Sequence, residues 1–196
     1  MKRAPAIAAA LICLCLAAEL TASDSGREPL PTLRPNLGAV ICAHRGVKKI
    51  APENTIPAIE KAIELGYAYV EIDVRYTKDG APVLMHDAWV TRTTGGWGPL
   101  AAYNLACLQK LDAGWLKRPR YAGTRVPTLE EALKVMQGRI KLYLDQKAPP
   151  TPELIRLLKT YGFYPDNMVI VGEGVNTQKF LELEPQAPVM PGLDAF

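Results

Sequence analysis

Apolar positions along the chain alternate between two spacings. Tyr69 to Val74 alternates in character and predicts a strand, and Ala39 to Ala43 is a short apolar run of strand type. Ile56, Ile59, Ala62 and Ile63 recur at helical spacing behind a polar start, Pro52-Glu53-Asn54-Thr55, and before a stop at Gly66. Lys78-Asp79-Gly80 reads as a turn, with a short strand from Pro82 to Met85 behind it. Thr128 with Glu131 three residues on predicts a capped helix start. Beyond it come a strand at 140–144, a helix at 152–161 with Leu154, Leu157 and Leu158 inward, a strand at 168–171, a helix at 177–183 and a strand opening near Val189. Strand and helix in alternation predict an α/β protein with a parallel sheet. Residues 87–127 are long and irregular, which in a compact domain marks a functional or mobile loop.

The amino terminus follows a different pattern. Lys2 and Arg3 precede an apolar run from Ala4 to Ala18, the arrangement of a secretory signal. The run is shorter than the roughly 20 residues of a spanning helix. Residues 1–22 are therefore expected to be a signal peptide and the protein to be exported, periplasmic or secreted; an uncleaved amphipathic anchor is the alternative. Residues 23–38, rich in Pro, Ser, Asp and Gly, read as a leader onto a domain at 39–196. Removing the signal leaves two of the four cysteines, Cys42 and Cys107. They could pair in an oxidising compartment, or Cys42 could be a buried thiol.

Composition narrows the function classes only slightly. With 196 residues, 48% apolar and 22% charged, the chain has the balance of one ordinary globular domain. A net charge of +3, from 23 basic and 20 acidic residues, gives no footprint for nucleic acid.

The placement of the charges says more. His44 and Arg45 follow the first strand, Glu71 and Asp73 close the second, His86 and Asp87 follow the third, and Asp145 and Lys147 follow the next. In a (β/α)8 barrel that end of the strands carries the chemistry. Glu71 and Asp73, two apart on a strand, share a face. Two carboxylates there repel unless a positive group sits between them. With Asp145 they suit a hard divalent cation, Ca2+ or Mg2+; a salt-bridge cluster with Arg45 and Lys147 is the competing reading. His44 and His86, the two histidines of the chain, could be ligands, an acid–base pair or core residues. Beside a cation and two basic side chains they suggest proton transfer on a phosphate diester.

At these residues the sequence resembles the glycerophosphodiester phosphodiesterase family. The matching pieces are Ala43-His44-Arg45-Gly46, Pro52-Glu53-Asn54-Thr55, Glu71-Ile72-Asp73-Val74, Thr77-Lys78-Asp79-Gly80, Val83-Leu84-Met85-His86-Asp87 and Val126-Pro127-Thr128-Leu129-Glu130-Glu131. The resemblance implies a TIM (β/α)8 barrel that hydrolyses glycerophosphodiesters to glycerol 3-phosphate and an alcohol with a divalent cation. It also implies roles: His44 and His86 as acid–base pair, Glu71 and Asp73 as metal ligands, Arg45 and Lys147 on the phosphate. Asp145 stands where the family more often has glutamate. Glu53 would order Arg45 or the metal site, or favour the helix start. The expected partner is a small-molecule substrate, with no nucleic acid and no stable membrane span. Rival readings are a lysophospholipase D-like or sphingomyelinase D-like enzyme, for which Trp89, Trp97, Tyr103 and Trp115 could form an apolar entrance or could be ordinary packing, and a catalytically silent scaffold. The pattern contains six strands, so the barrel is expected to lack two, the chain to be a fragment or closed by partners, and the isolated chain to be poorly soluble or weakly active.

Overall fold

The computed structural model describes residues 40–117, 119–171 and 174–190. The expected signal peptide, 1–22, and leader, 23–38, lie outside them, as does the final segment 191–196. Six strands form one sheet: β1 (Cys42–Ala43), β2 (Tyr69–Tyr76), β3 (Pro82–Leu84), β4 (Lys141–Gln146), β5 (Met168–Val171) and β6 (Val189–Met190). Five of them are parallel neighbours in the order β1-β2-β4-β5-β6. Between them run α1 (Ile56–Glu64), α2 (Leu105–Leu108), α3 (Leu129–Met136), α4 (Pro152–Thr160) and α5 (Val175–Leu183).

The strand at 82–85 is the one element whose role differs from expectation. β3 pairs antiparallel with β2, Val74 opposite Leu84, and stands off the parallel path. The physical reason is the connection. Residues 77–81 close a tight turn, with Thr77 N–H donating to Ala81 O at 3.0 Å and Gly80 at φ +80°. A parallel neighbour needs a crossover of a dozen or more residues. The described residues therefore hold five barrel-type strands and a hairpin arm, rather than six strands of one barrel.

Alternation divides the sheet into two faces. Val70, Ile72 and Val74 of β2, with Leu142 and Leu144 of β4, pack into the main core beside Ile59, Leu129, Leu133, Met136, Leu154 and Leu157 of the helices. Truncating one such buried leucine to alanine typically costs about 2–5 kcal/mol. Tyr69, Glu71, Asp73 and Arg75 take the opposite face, beside Tyr143 and Asp145. α3 starts with the expected capping box: Thr128 Oγ1 accepts from Glu131 N–H, and Glu131 reaches back to Thr128 N–H. The 87–127 insertion carries its own small core of Val90, Leu100, Leu108, Ala113 and Val126 with Val83 and Met85. Cys42 is half-buried in β1 and Cys107 exposed in α2. No helix among the described residues is long and apolar enough to cross a membrane.

Candidate active site

His44, Arg45 and Glu53 follow β1, Glu71 and Asp73 lie on β2, His86 follows β3, and Asp145 and Lys147 lie at and just beyond the end of β4. Glu71 and Asp73 sit inside β2, which runs on to Tyr76, rather than at its end. Both are buried, Asp73 completely. Asp73 pairs in register with Asp145 on β4. One oxygen from each of Glu71, Asp73 and Asp145 falls within 4.8 Å of the others.

A sharp turn after β1 builds the other wall. Arg45 and Gly46 both have left-handed backbone, φ +56° and +72°. That bend aims Arg45 N–H at Glu71 Oε2, 2.6 Å away. The Arg45 guanidinium donates to Glu53 Oε1 at 3.1 Å and lies 3.4 Å from Asp73 Oδ2. Lys147 Nζ is 2.6 Å from Asp145 Oδ2 and 3.4 Å from Asp73 Oδ1. The competing salt-bridge reading thus has real contacts behind it, but it leaves charge uncompensated. Glu71 has no Arg or Lys ion pair among the described residues; His44 Nε2 lies 3.9 Å from its Oε2. Burial, reinforced by the Asp73 charge, pushes the Glu71 carboxyl up to about 8. Asp73 Oδ1 is buried without a hydrogen-bond partner. Paired only loosely with Lys147 Nζ at 3.4 Å, that buried acceptor is costly, and a hard cation among three carboxylates would answer both defects. The donor set fits Ca2+ or Mg2+.

The two histidines are held differently. His44 Nδ1 lies 2.9 Å from Lys48 Nζ, and an ammonium can only donate, so Nδ1 is the acceptor and Nε2 carries the proton. Burial, then the Lys48 and Arg45 charges, lowers the His44 pKa below its usual value. His86 Nδ1 lies 2.7 Å from Asp87 Oδ1. Hydrogen bonds from Arg92 above all pull Asp87 down to about 2, so it is an acceptor and His86 Nδ1 the donor. The lone pair of neutral His86 then sits on Nε2.

Several residues of the rim went unassigned by sequence reasoning. Asn54, at φ +54°, clamps Asp73: its Nδ2 donates to Oδ2 at 2.7 Å and its Oδ1 accepts from Asp73 N–H at 3.1 Å. Arg75 Nε donates to His86 O at 2.8 Å and its Nη1 to Lys147 O at 3.3 Å. Arg92 grips two carboxylates at once, with Nη1 and Nη2 on Glu53 at 2.9 and 2.7 Å and Nε on Asp87 at 2.5 Å. Glu53 itself makes no cap for α1, whose N-cap is Thr55. It pairs with Arg45 and Arg92 instead. Asn54 and Asp87 stood inside quoted motifs; Arg92 carried no local signal.

The profile of the Glycerophosphoryl diester phosphodiesterase family matches residues 44–174, which span all of these side chains. The chain belongs to that family. Bacillus subtilis YhdW is 40% identical over 153 residues, 76% of this chain and 63% of its own length. The glycerophosphodiester phosphodiesterase of Caldanaerobacter subterraneus is 39% identical over 131 residues, 63% of this chain and 54% of its own. The crystal structure of glycerophosphodiester phosphodiesterase from Agrobacterium tumefaciens superposes with a TM-score of 0.74 at 30% identity, over 79% of this chain and 67% of that one. An Oleispira antarctica phosphodiesterase in complex with the product sn-glycerol-3-phosphate gives 0.67 at 32% identity, over 77% of this chain and 64% of that one. The chain thus spans roughly two thirds or less of these relatives. The fold is the TIM barrel of the family, with β1-β2-β4-β5-β6 as an arc of it.

Proposed function

We propose that the chain hydrolyses glycerophosphodiesters to glycerol 3-phosphate and an alcohol, with Glu71, Asp73 and Asp145 holding a divalent cation. One observation carries this reading: three carboxylates converge beside two histidines held in opposite tautomers. A cation bound there would supply positive charge to the phosphoryl oxygens. Arg45 and Lys147, now resting on the carboxylates, are within reach to take the non-bridging oxygens of a phosphate. His86, with its Nε2 lone pair fixed by Asp87, takes the proton of the attacking water. His44 gives its Nε2 proton to the leaving alcohol oxygen as its Nδ1 takes one from Lys48 Nζ, so the imidazole stays neutral. Asn54 keeps Asp73 oriented, as carboxylate ligands need.

The test is hydrolysis of glycerophosphocholine with and without a chelator. Activity should vanish on chelation and return with Ca2+ or Mg2+; undiminished turnover in excess chelator would leave the cluster a salt-bridge network. His44→Ala and His86→Ala should each lower turnover by about 10²–10⁴-fold while remaining folded. Asp145→Glu should be tolerated better than Asp145→Ala. The basic start and apolar run of residues 1–22 support export, and amino-terminal sequencing of exported protein tests it: an intact Met1 would count against a cleaved signal.

A further inference from the structure

We propose that the rim around the site is a docking surface for an anionic lipid bilayer. Among the described residues, the exposed large apolar side chains are Ile50, Trp89, Trp97, Trp115, Leu116, Val175 and Leu183. All but the last two lie on two loops, those following β1 and the hairpin arm, at the end of the strands where the site is. Trp97 is 77% exposed and Leu116 61%. Both loops touch the site. Lys48 bonds His44, and Lys117 Nζ donates to Lys49 O at 3.0 Å, which ties the Trp115-Leu116 turn to the segment bearing Ile50. Trp89 stands three residues beyond His86 and meets Trp97 edge to face at 5.8 Å.

The segments that carry Ile50, Trp115 and Leu116 are basic, whereas Asp87 near Trp89 is already paired with Arg92. Residues 113–127 carry Lys117, Arg120 and Arg125 and no acidic residue; residues 46–51 contain Lys48 and Lys49 and again none. Exposed tryptophans beside lysine and arginine match a bilayer interface, where indole rings settle at headgroup depth and basic groups meet anionic phosphates. A protein partner would favour a contiguous apolar centre with the charges at its edge; here lysines and arginines are interleaved with the apolar residues. Docked this way, the site mouth faces headgroup phosphodiesters, a step that rests on the function proposed above.

Co-sedimentation of the full chain with vesicles tests the surface. Vesicles containing phosphatidylglycerol should pellet the protein, those of phosphatidylcholine alone far less, and 0.5 M salt should weaken the binding. Trp97→Ser with Leu116→Ser should lower binding about tenfold or more. Lys117→Ser with Arg120→Ser should cost about 25-fold, at roughly fivefold for each basic group. Both pairs should leave hydrolysis of soluble glycerophosphocholine unchanged, so loss of binding and loss of the enzyme reading are separable. Failure to pellet with anionic vesicles overturns the proposal. So does binding that both variant pairs leave undiminished, the result that the apolar amino-terminal run alone would give.

Discussion

Arg92 is the residue whose position explains most about the rim. Its guanidinium spans Glu53, which holds Arg45, and Asp87, which holds His86. Burial raises the Glu53 pKa, but hydrogen bonds from Arg92 and Arg45 outweigh it and leave it below the usual value. The two carboxylates in turn push the Arg92 pKa up. A single side chain therefore fixes both Arg45, the arginine proposed to hold the phosphate, and the tautomer of a histidine. Its side chain is 44% exposed, so its contribution to stability should be modest, as for exposed ion pairs. Arg92→Gln should lower kcat by about tenfold or more, less than loss of His86 itself, and raise KM through a loosened Arg45. Arg92→Lys should not rescue it, because an ammonium cannot serve two carboxylates bidentately. The check is kinetics on glycerophosphocholine together with imidazole NMR, which is simple in a chain with two histidines. Unmoved His86 resonances in Arg92→Gln would show that Arg92 holds only the loop.

At the level of elements, glycine placement separates turns that merely bend from the turn that builds the site. Gly80 and Gly46 both have positive φ, +80° and +72°. A Cβ on Gly80 would meet open space, whereas one on Gly46 would sit 2.6 Å from Ala58 Cβ and 2.7 Å from the Ala58 backbone carbon. Gly80→Ala should cost about 1–2 kcal/mol, the left-handed penalty alone. Gly46→Ala adds overpacking against α1, a further 1–3 kcal/mol or so, and displaces Arg45 from Glu71. Urea denaturation of the two variants should rank them in that order, and only Gly46→Ala should also lose activity; equal stability losses would remove the close-packing argument. The hairpin shows what was legible and what was overlooked. Thr77-Lys78-Asp79-Gly80 is a tight-turn signature, and so short a link forbids a parallel β3, yet period and apolarity alone give the same pattern for an arm as for a barrel strand. The helices were readable because caps and stops are local: Thr128 with Glu131, Gly66 after α1. Arg92 was not, because its partner Glu53 lies 39 residues away along the chain.

For the molecule as a whole, the folded chain places three acids and several cations in one partly buried site, so stability, pH and cation binding are coupled. The carboxylates were legible because i, i+2 spacing on β2 and the register with β4 put them on one face; the depth of their burial was not, since it depends on how strands pack. Glu71 carries the consequence. Its carboxyl sits at about 8 in the fold against an ordinary value of 4.5. Between those values the folded, metal-free chain binds a proton that the unfolded chain releases, so stability falls as pH rises, by at most about 1.4 kcal/mol per pH unit. His44 acts oppositely below 6.5, because its folded pKa is lowered, and stability from it grows until the unfolded histidine has lost its proton. Asp87 and Glu53, both depressed, titrate below the window. From about pH 6.5 to 8 the Glu71 slope therefore stands alone among these groups. A cation at Glu71, Asp73 and Asp145 displaces that proton, so its affinity should rise about tenfold per pH unit over the same range and level off above it. Thermal unfolding in chelator should show the midpoint falling from pH 6.5 to 8, and the midpoint gain on adding Ca2+ or Mg2+ should widen with pH. A metal-free midpoint that climbs through this range would mean that Glu71 is already ionised and paired. The three carboxylates would then be a self-sufficient ion cluster needing no cation.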